Sequence, residues 1–273
     1  MKFSNVALLL VVGVFCLAAH PAPMNVAHSY DVHAHAARIK GVYWSTTEVT
    51  VAEYKEFLME LIGEGKADLV PEYAPQLDVW DQLGGTLEPI KKTYFFHPAF
   101  NNYPVVGISH EAATAYCEWM TRRFGEHLVH KRKDLRGGYT FRLPTQAEWE
   151  AAASIGAGND FYHAGGHPYP RDHKGRYLFN HKLGPGDYAG MPSKKGHHYE
   201  GYMFTAPVKE FPKSKAGLFN LSGNVAEMVA EEGIAKGGSW MHESEEARIR
   251  NSLTYEGPTA WLGFRYLIQR VEI

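Results

Sequence analysis

Gly217-Leu218-Phe219-Asn220-Leu221-Ser222-Gly223-Asn224-Val225-Ala226-Glu227 is the stretch on which the reading of this chain turns. Turn-forming Gly and Asn alternate there with apolar residues, and oxygen atoms come at close spacing. Asn220 and Glu227 offer side-chain oxygens, while Gly223 and Val225 offer main-chain carbonyls, all within eight residues. Hard cations such as calcium take that mixture of ligands when a turn-rich chain gathers it. The alternative is that Asn220 and Glu227 only cap turns.

Downstream, Gly237-Gly238-Ser239-Trp240 lets the backbone turn tightly into a strand. Phe141-Arg142-Leu143 and Phe264-Arg265 each set an arginine inside an otherwise apolar strand, where a guanidinium needs several acceptors. Two roles stay open for these arginines: substrate ligands, or ties between loops and core. Upstream, Val42-Tyr43-Trp44 reads as a strand. Thr50-x-x-Glu53 is a capping box opening a helix through Tyr54, Phe57, Leu58 and Leu61 that closes at Gly63. A second helix is expected from Ser109 to a C-cap at Gly125, and a third from the capping box Thr145-x-x-Glu148 through Trp149 to Gly156. Beyond Gly156 no long periodic segment occurs, and no inter-domain linker is evident. The reading is one domain over 39–273.

The chain has 273 residues, with 27 Gly, 16 Tyr, 14 Phe and 6 Trp, a composition that suits a loop-rich fold with rings filling irregular gaps. A net charge of −2 gives no basic field to attract nucleic acid. Lys2 precedes the apolar run Val6–Ala19, too short to span a bilayer and suited to a secretory signal over 1–19. A flexible polar segment over 20–38 follows. Phe15 and Gly13 do not make a lipobox before Cys16, so lipidation is not expected. Export then leaves Cys117 alone, and the fold cannot rely on an internal disulfide. No other segment is apolar enough for a transmembrane span. His163, His167, His173, His197 and His198 crowd the loops, but their spacing matches no defended ligand pattern.

Taken in order, several segments resemble the formylglycine-generating (sulfatase-modifying factor) family. They are Thr47-Glu48-Val49-Thr50 with Tyr54 and Phe57, Tyr103-Pro104-Val105-Val106-Gly107-Ile108-Ser109 with Tyr116 and Trp119, and Phe141-Arg142-Leu143-Pro144-Thr145 with Trp149. Then come Thr205-Ala206-Pro207-Val208, Gly217–Glu227, Gly237–Trp240 and Leu262–Arg265. The resemblance covers essentially the whole domain. It implies an α+β fold related to C-type lectins, with little regular secondary structure. It also implies a calcium ion at Asn220, Gly223, Val225 and Glu227. A second site falls on Asn180, His181, Glu200 and Tyr202, where His181 and Tyr202 would give carbonyls.

Family enzymes carry two cysteines after the Gly-Gly-Ser motif, and their thiolates bind copper(I), as soft sulfur ligands should. Here those positions are His242 and Ala247, so copper is not expected and the formylglycine reaction is not expected. Ser239 and His242 remain as possible relics of the active-site groove. Tyr94-Phe95-Phe96-His97-Pro98, Gly184–Gly190 and Ala226 before Glu227 look closer to the non-catalytic gliding-motility and type IX secretion lipoproteins. The resemblance therefore implies an exported scaffold or binding protein of the cell envelope, periplasmic or outer-membrane-associated, with envelope protein partners. Two other readings stand beside it: a metal-dependent oxidoreductase of altered chemistry at the old groove, and a ligand-binding module on a lectin-like core.

Overall fold

Thr50 Oγ1 accepts the Glu53 N–H at 3.2 Å while the Glu53 carboxylate accepts the Thr50 N–H at 2.8 Å. Two of the first turn's orphan donors are thereby satisfied, and helix α1 (Val51–Gly63) starts where the box predicts. The same reciprocal pair joins Thr145 and Glu148 at the start of α5 (Gln146–Ala153). These features belong to a computed structural model that describes residues 36–83, 88–131, 138–157, 161–163, 169–184 and 202–271. The expected signal segment lies outside the described residues.

Between α1 and the next long helix run two short ones that have no clear periodic signal, α2 (Val70–Tyr73) and α3 (Glu88–Thr93). Helix α4 spans His110–Lys131 and so passes through Gly125 rather than stopping there. A glycine in a helix costs only about 1 kcal/mol against alanine, and the residues that follow include good helix formers.

Among the described residues, eight short strands make two four-stranded sheets. The first has the order β1 (Ala36–Ile39), β2 (Val42–Ser45), β8 (Leu267–Val271), β3 (Gly138–Arg142), antiparallel throughout. Regular pairing thus begins at Ala36, three residues before the expected boundary at Ile39. The second has the order β6 (Ser252–Thr254), β5 (Ile234–Lys236), β4 (Ala226–Met228), β7 (Leu262–Phe264), with β4 and β7 parallel. This is an α+β architecture. No helix among the described residues is long and apolar enough to cross a membrane.

Aromatic rings fill the main core. Tyr54 of α1 stacks on Tyr116 of α4 at 5.7 Å, and both meet the edge of Phe264 of β7. Tyr54 spends its hydroxyl on the Tyr73 carbonyl, 2.8 Å away. Cys117 is buried beside these rings as a free thiol, and burial pushes its pKa up. A second cluster around Trp44, Trp149, Leu221 and Leu267 closes the space under the loop Gly217–Glu227.

Candidate functional site

The loop that leads into β4 makes its turns with left-handed residues: Asn220 at φ 53°, Gly223 at 72° and Asn224 at 64°. Non-glycine residues rarely adopt that region, with asparagine the usual exception. At Gly223 the requirement is also steric, because a Cβ there would lie 2.1 Å from the Asn180 carbonyl oxygen. That contact, with the Asn224 N–H donating to the same oxygen at 2.8 Å, draws Asn180 against the loop. The two sets of residues expected to bind calcium are therefore neighbours.

Asn224 is fully used. Its Oδ1 accepts from the Ala206 N–H at 2.7 Å, and its Nδ2 donates to the Ala206 carbonyl and to Glu48 Oε1 at 2.8 Å. Asn220 Nδ2 donates to Glu48 Oε2 at 3.2 Å and to the Val208 carbonyl at 3.1 Å. Asn220 Oδ1 is buried without a hydrogen-bond partner, and so is Asn180 Oδ1. A buried acceptor left unpaired costs about 1–3 kcal/mol, so each calls for a ligand. Asn180 Nδ2 meanwhile donates to the Phe204 carbonyl at 2.8 Å.

Glu227 and Arg265 are both fully buried and meet in a bidentate pair, Nη2 to Oε1 at 2.6 Å and Nε to Oε2 at 2.7 Å. Trp149 Nε1 donates to Oε2 as well, at 2.7 Å. Arg265 also reaches the carbonyls of Phe219 and Ser45. The buried arginine is a tie between loops, and Arg142 is likewise held by Glu148 and Gln269. Glu227 Oε1 accepts from Arg265 Nη2, and a lone pair stays available to a cation. A second fully buried carboxylate, Glu48, lies within the electrostatic reach of the Glu227–Arg265 pair and takes its hydrogen bonds from Asn220 and Asn224. Burial pushes the Glu48 carboxyl up to about 8, with Arg265 opposing and Glu227 reinforcing that rise. So raised, Glu48 is largely protonated near neutral pH and the Glu227–Arg265 pair balances its own charge; the unpaired Asn220 oxygen, the loop carbonyls and Glu227 are together the kind of oxygen set a hard cation takes.

The second expected set is only partly placed. His181 is buried, packed on Tyr177 and Phe179, with Nδ1 3.3 Å from the Phe179 carbonyl. Tyr202 is half-buried, its hydroxyl pushed up to about 12 by burial and by Glu210. Glu200 lies outside the described residues. His163 is fully buried and held neutral, pushed down to about 3 by burial and then by Arg265.

The groove loop follows β5 through Gly237 at φ 90° and Gly238 at 65°. Ser239 Oγ and His242 Nδ1 are 2.7 Å apart, and the Met241 N–H donates to the same Oγ at 3.1 Å. The imidazole meets the edge of Trp261 at 4.8 Å, and burial lowers its pKa, favouring the neutral ring. Ala247 is buried with Tyr162 and Phe179, its Cα 2.7 Å from where a Cβ on Gly238 would stand. Neither position offers sulfur, and Cys117 is sealed in the aromatic core. The residues present do not fit a copper(I) thiolate site.

Glu48 and Trp149 were not singled out by sequence reasoning as parts of this site. The one available signal was a carboxylate next to apolar Val49 in a segment that must lie against the core.

This fold and its polar centre define a class, an α+β domain of short strands organised by a Gly-Asn loop over a buried Arg–Glu pair. Residues 9–270 match the family model described as the sulfatase-modifying factor enzyme 1-like domain, and the chain belongs to that family. It is 28% identical over 211 residues to the mouse formylglycine-generating enzyme, covering 65% of this chain and 49% of the relative. Identity is 32% over 219 residues with the Streptomyces coelicolor enzyme of that name, covering 74% and 61%. The mouse protein named inactive C-alpha-formylglycine-generating enzyme 2 is 27% identical over 202 residues, covering 65% and 56%. This chain thus spans about half the length of the first of these relatives. The solved structure of CarF superposes with a TM-score of 0.53 at 17% identity, covering 85% of this chain and 87% of CarF. Treponema denticola variable protein 1 gives 0.50 at 17%, covering 84% of each. Both likenesses concern the fold.

Proposed function

We propose that this chain is an exported, non-catalytic member of its family, a calcium-stabilised scaffold or binding component of the cell envelope. The observation that carries the reading is the state of the two thiolate positions, His242 and a buried Ala247, with Cys117 out of reach in the core. Relatives named inactive lie at similar identity to relatives named as enzymes, which makes loss of the reaction on this fold a reasonable reading. Incubation with copper and a cysteine-containing sulfatase peptide in air is expected to give no aldehyde by mass spectrometry. Aldehyde that survives Cys117→Ser would overturn the proposal.

Calcium is proposed at Asn220 Oδ1, the Gly223 and Val225 carbonyls and Glu227, supported by the unpaired, buried Asn220 oxygen. A second ion is proposed at Asn180, His181, Glu200 and Tyr202, supported by the unpaired Asn180 oxygen. When bound, the ion supplies positive charge and binds only the folded chain. At a hundredfold excess over its Kd it would add about 2.7 kcal/mol of stability. A melting curve unmoved by chelator would remove this part. Export rests on the run Val6–Ala19, and the mass of the native N-terminus tests both cleavage near His20 and the absence of lipid on Cys16. A role in type IX secretion or gliding rests on the sequence likeness at Tyr94–Pro98, Gly184–Gly190 and Ala226. Loss of either process on deletion is its test.

The second reading, an oxidoreductase of altered chemistry, is favoured by one observation. The His242 imidazole is neutral and fixed by Ser239. Metal analysis of the purified protein separates the two, since iron or copper supports the enzyme and calcium alone supports the scaffold.

A further inference from the structure

We infer that Glu48 is the positioning residue of the Asn220 calcium site, setting the amide so that its oxygen faces the ion. This inference rests on the calcium reading above. Asn220 Nδ2 lies between two acceptors, Glu48 Oε2 at 3.2 Å and the Val208 carbonyl at 3.1 Å. Reversing the amide would press its oxygen against both, so the nitrogen must point that way. Asn220 Oδ1 is consequently turned to the other side, where it is buried and unpaired. Glu48 Oε1 holds the Asn224 amide at 2.8 Å, which fixes the second left-handed residue of the same loop. One carboxylate thus secures both asparagines that shape the turn. The amides also hold it in place, fully buried beside the loop. Partners that orient a ligand typically change metal affinity by 10–100-fold when altered.

The test is calorimetric titration of the full chain, stripped by chelator, with calcium ions, alongside melting curves without calcium. Glu48→Gln keeps the shape but offers one acceptor oxygen, so it cannot hold both amides as the carboxylate does. The expected result is a 10–100-fold rise in the calcium Kd, with at most a small fall in the calcium-free Tm from the one amide bond that Gln cannot accept. A lowered calcium-free Tm with unchanged calcium Kd would make Glu48 structural only and overturn the inference. Glu48→Asp keeps the carboxyl group on a shorter arm and is expected to bind with affinity between those of wild type and Glu48→Gln; unchanged affinity there overturns the inference as well. Wild-type protein that takes up no calcium removes the reading beneath it, an outcome distinct from binding that ignores Glu48.

Discussion

The loop Gly217–Glu227 and the loop Gly238–Ala247 lie side by side, joined by the Gly223 N–H on the Gly237 carbonyl at 2.7 Å and the Trp240 N–H on the Asn224 carbonyl at 3.0 Å. They are built differently. In the first, fully buried polar groups fix the loop from two sides: Glu48 holds Asn220 and Asn224, and Glu227 takes Arg265 and Trp149. In the second, Ser239 and His242 make a single side-chain pair, flanked by half-buried Trp240 and Trp261. A buried network breaks as a unit because each member satisfies another's charge or hydrogen bond. A groove lined by one local pair can change residues with little effect on the fold. That difference leaves the residues of the second loop, His242 and Ala247 among them, freer to vary than those of the first.

The contrast is most severely tested at Arg265. Arg265→Met is expected to cost about 3–5 kcal/mol, because Glu227 would stay buried without its partner. Denaturant unfolding measures it, and a loss under 1 kcal/mol would show that the centre is not a network. Gly238→Ala comes next, at about 1–3 kcal/mol, since its Cβ would meet Ala247 backbone at a left-handed φ. The same measurement applies, and a neutral result would mean that the groove loop shifts freely.

His242→Ala should cost only about 1 kcal/mol, the net worth of one hydrogen bond. A loss as large as that at Arg265 would erase the distinction between the loops. The smallest effect concerns acid. The Arg142 guanidinium holds the Glu148 carboxyl at about 2, below its ordinary value of 4.5. Its stabilisation is present above about pH 4.5 and disappears as pH falls towards 2. Both side chains are about a third exposed, so the loss is no more than about 1 kcal/mol. Glu148→Gln should therefore flatten the acid limb of stability slightly, and an unchanged limb would remove the pair from the account.

Much of the site was legible where its logic is local. The turn-rich loop Gly217–Glu227 and the two arginines that need acceptors come from residues close in sequence. Glu48 was harder to read, because its partners Asn220 and Asn224 lie 172 and 176 positions away. The helix end at Gly125 was misplaced for a related reason. Glycine ends a helix only where the chain then turns left-handed, and composition alone does not say whether it does.

By itself the sequence determined the capping boxes at Thr50 and Thr145, the burial of Cys117 and the family's α+β architecture. Each follows from contacts within a few residues or from an ordered set of motifs. Only the tertiary structure decided which buried charges meet. Glu48, Glu227 and Arg265 come from the beginning and end of the chain, and nothing local obliges a second carboxylate to be buried within reach of the Glu227–Arg265 pair. Burial makes that placement matter, because in water a carboxylate's charge is screened, whereas in the interior it must be answered by a proton or a cation.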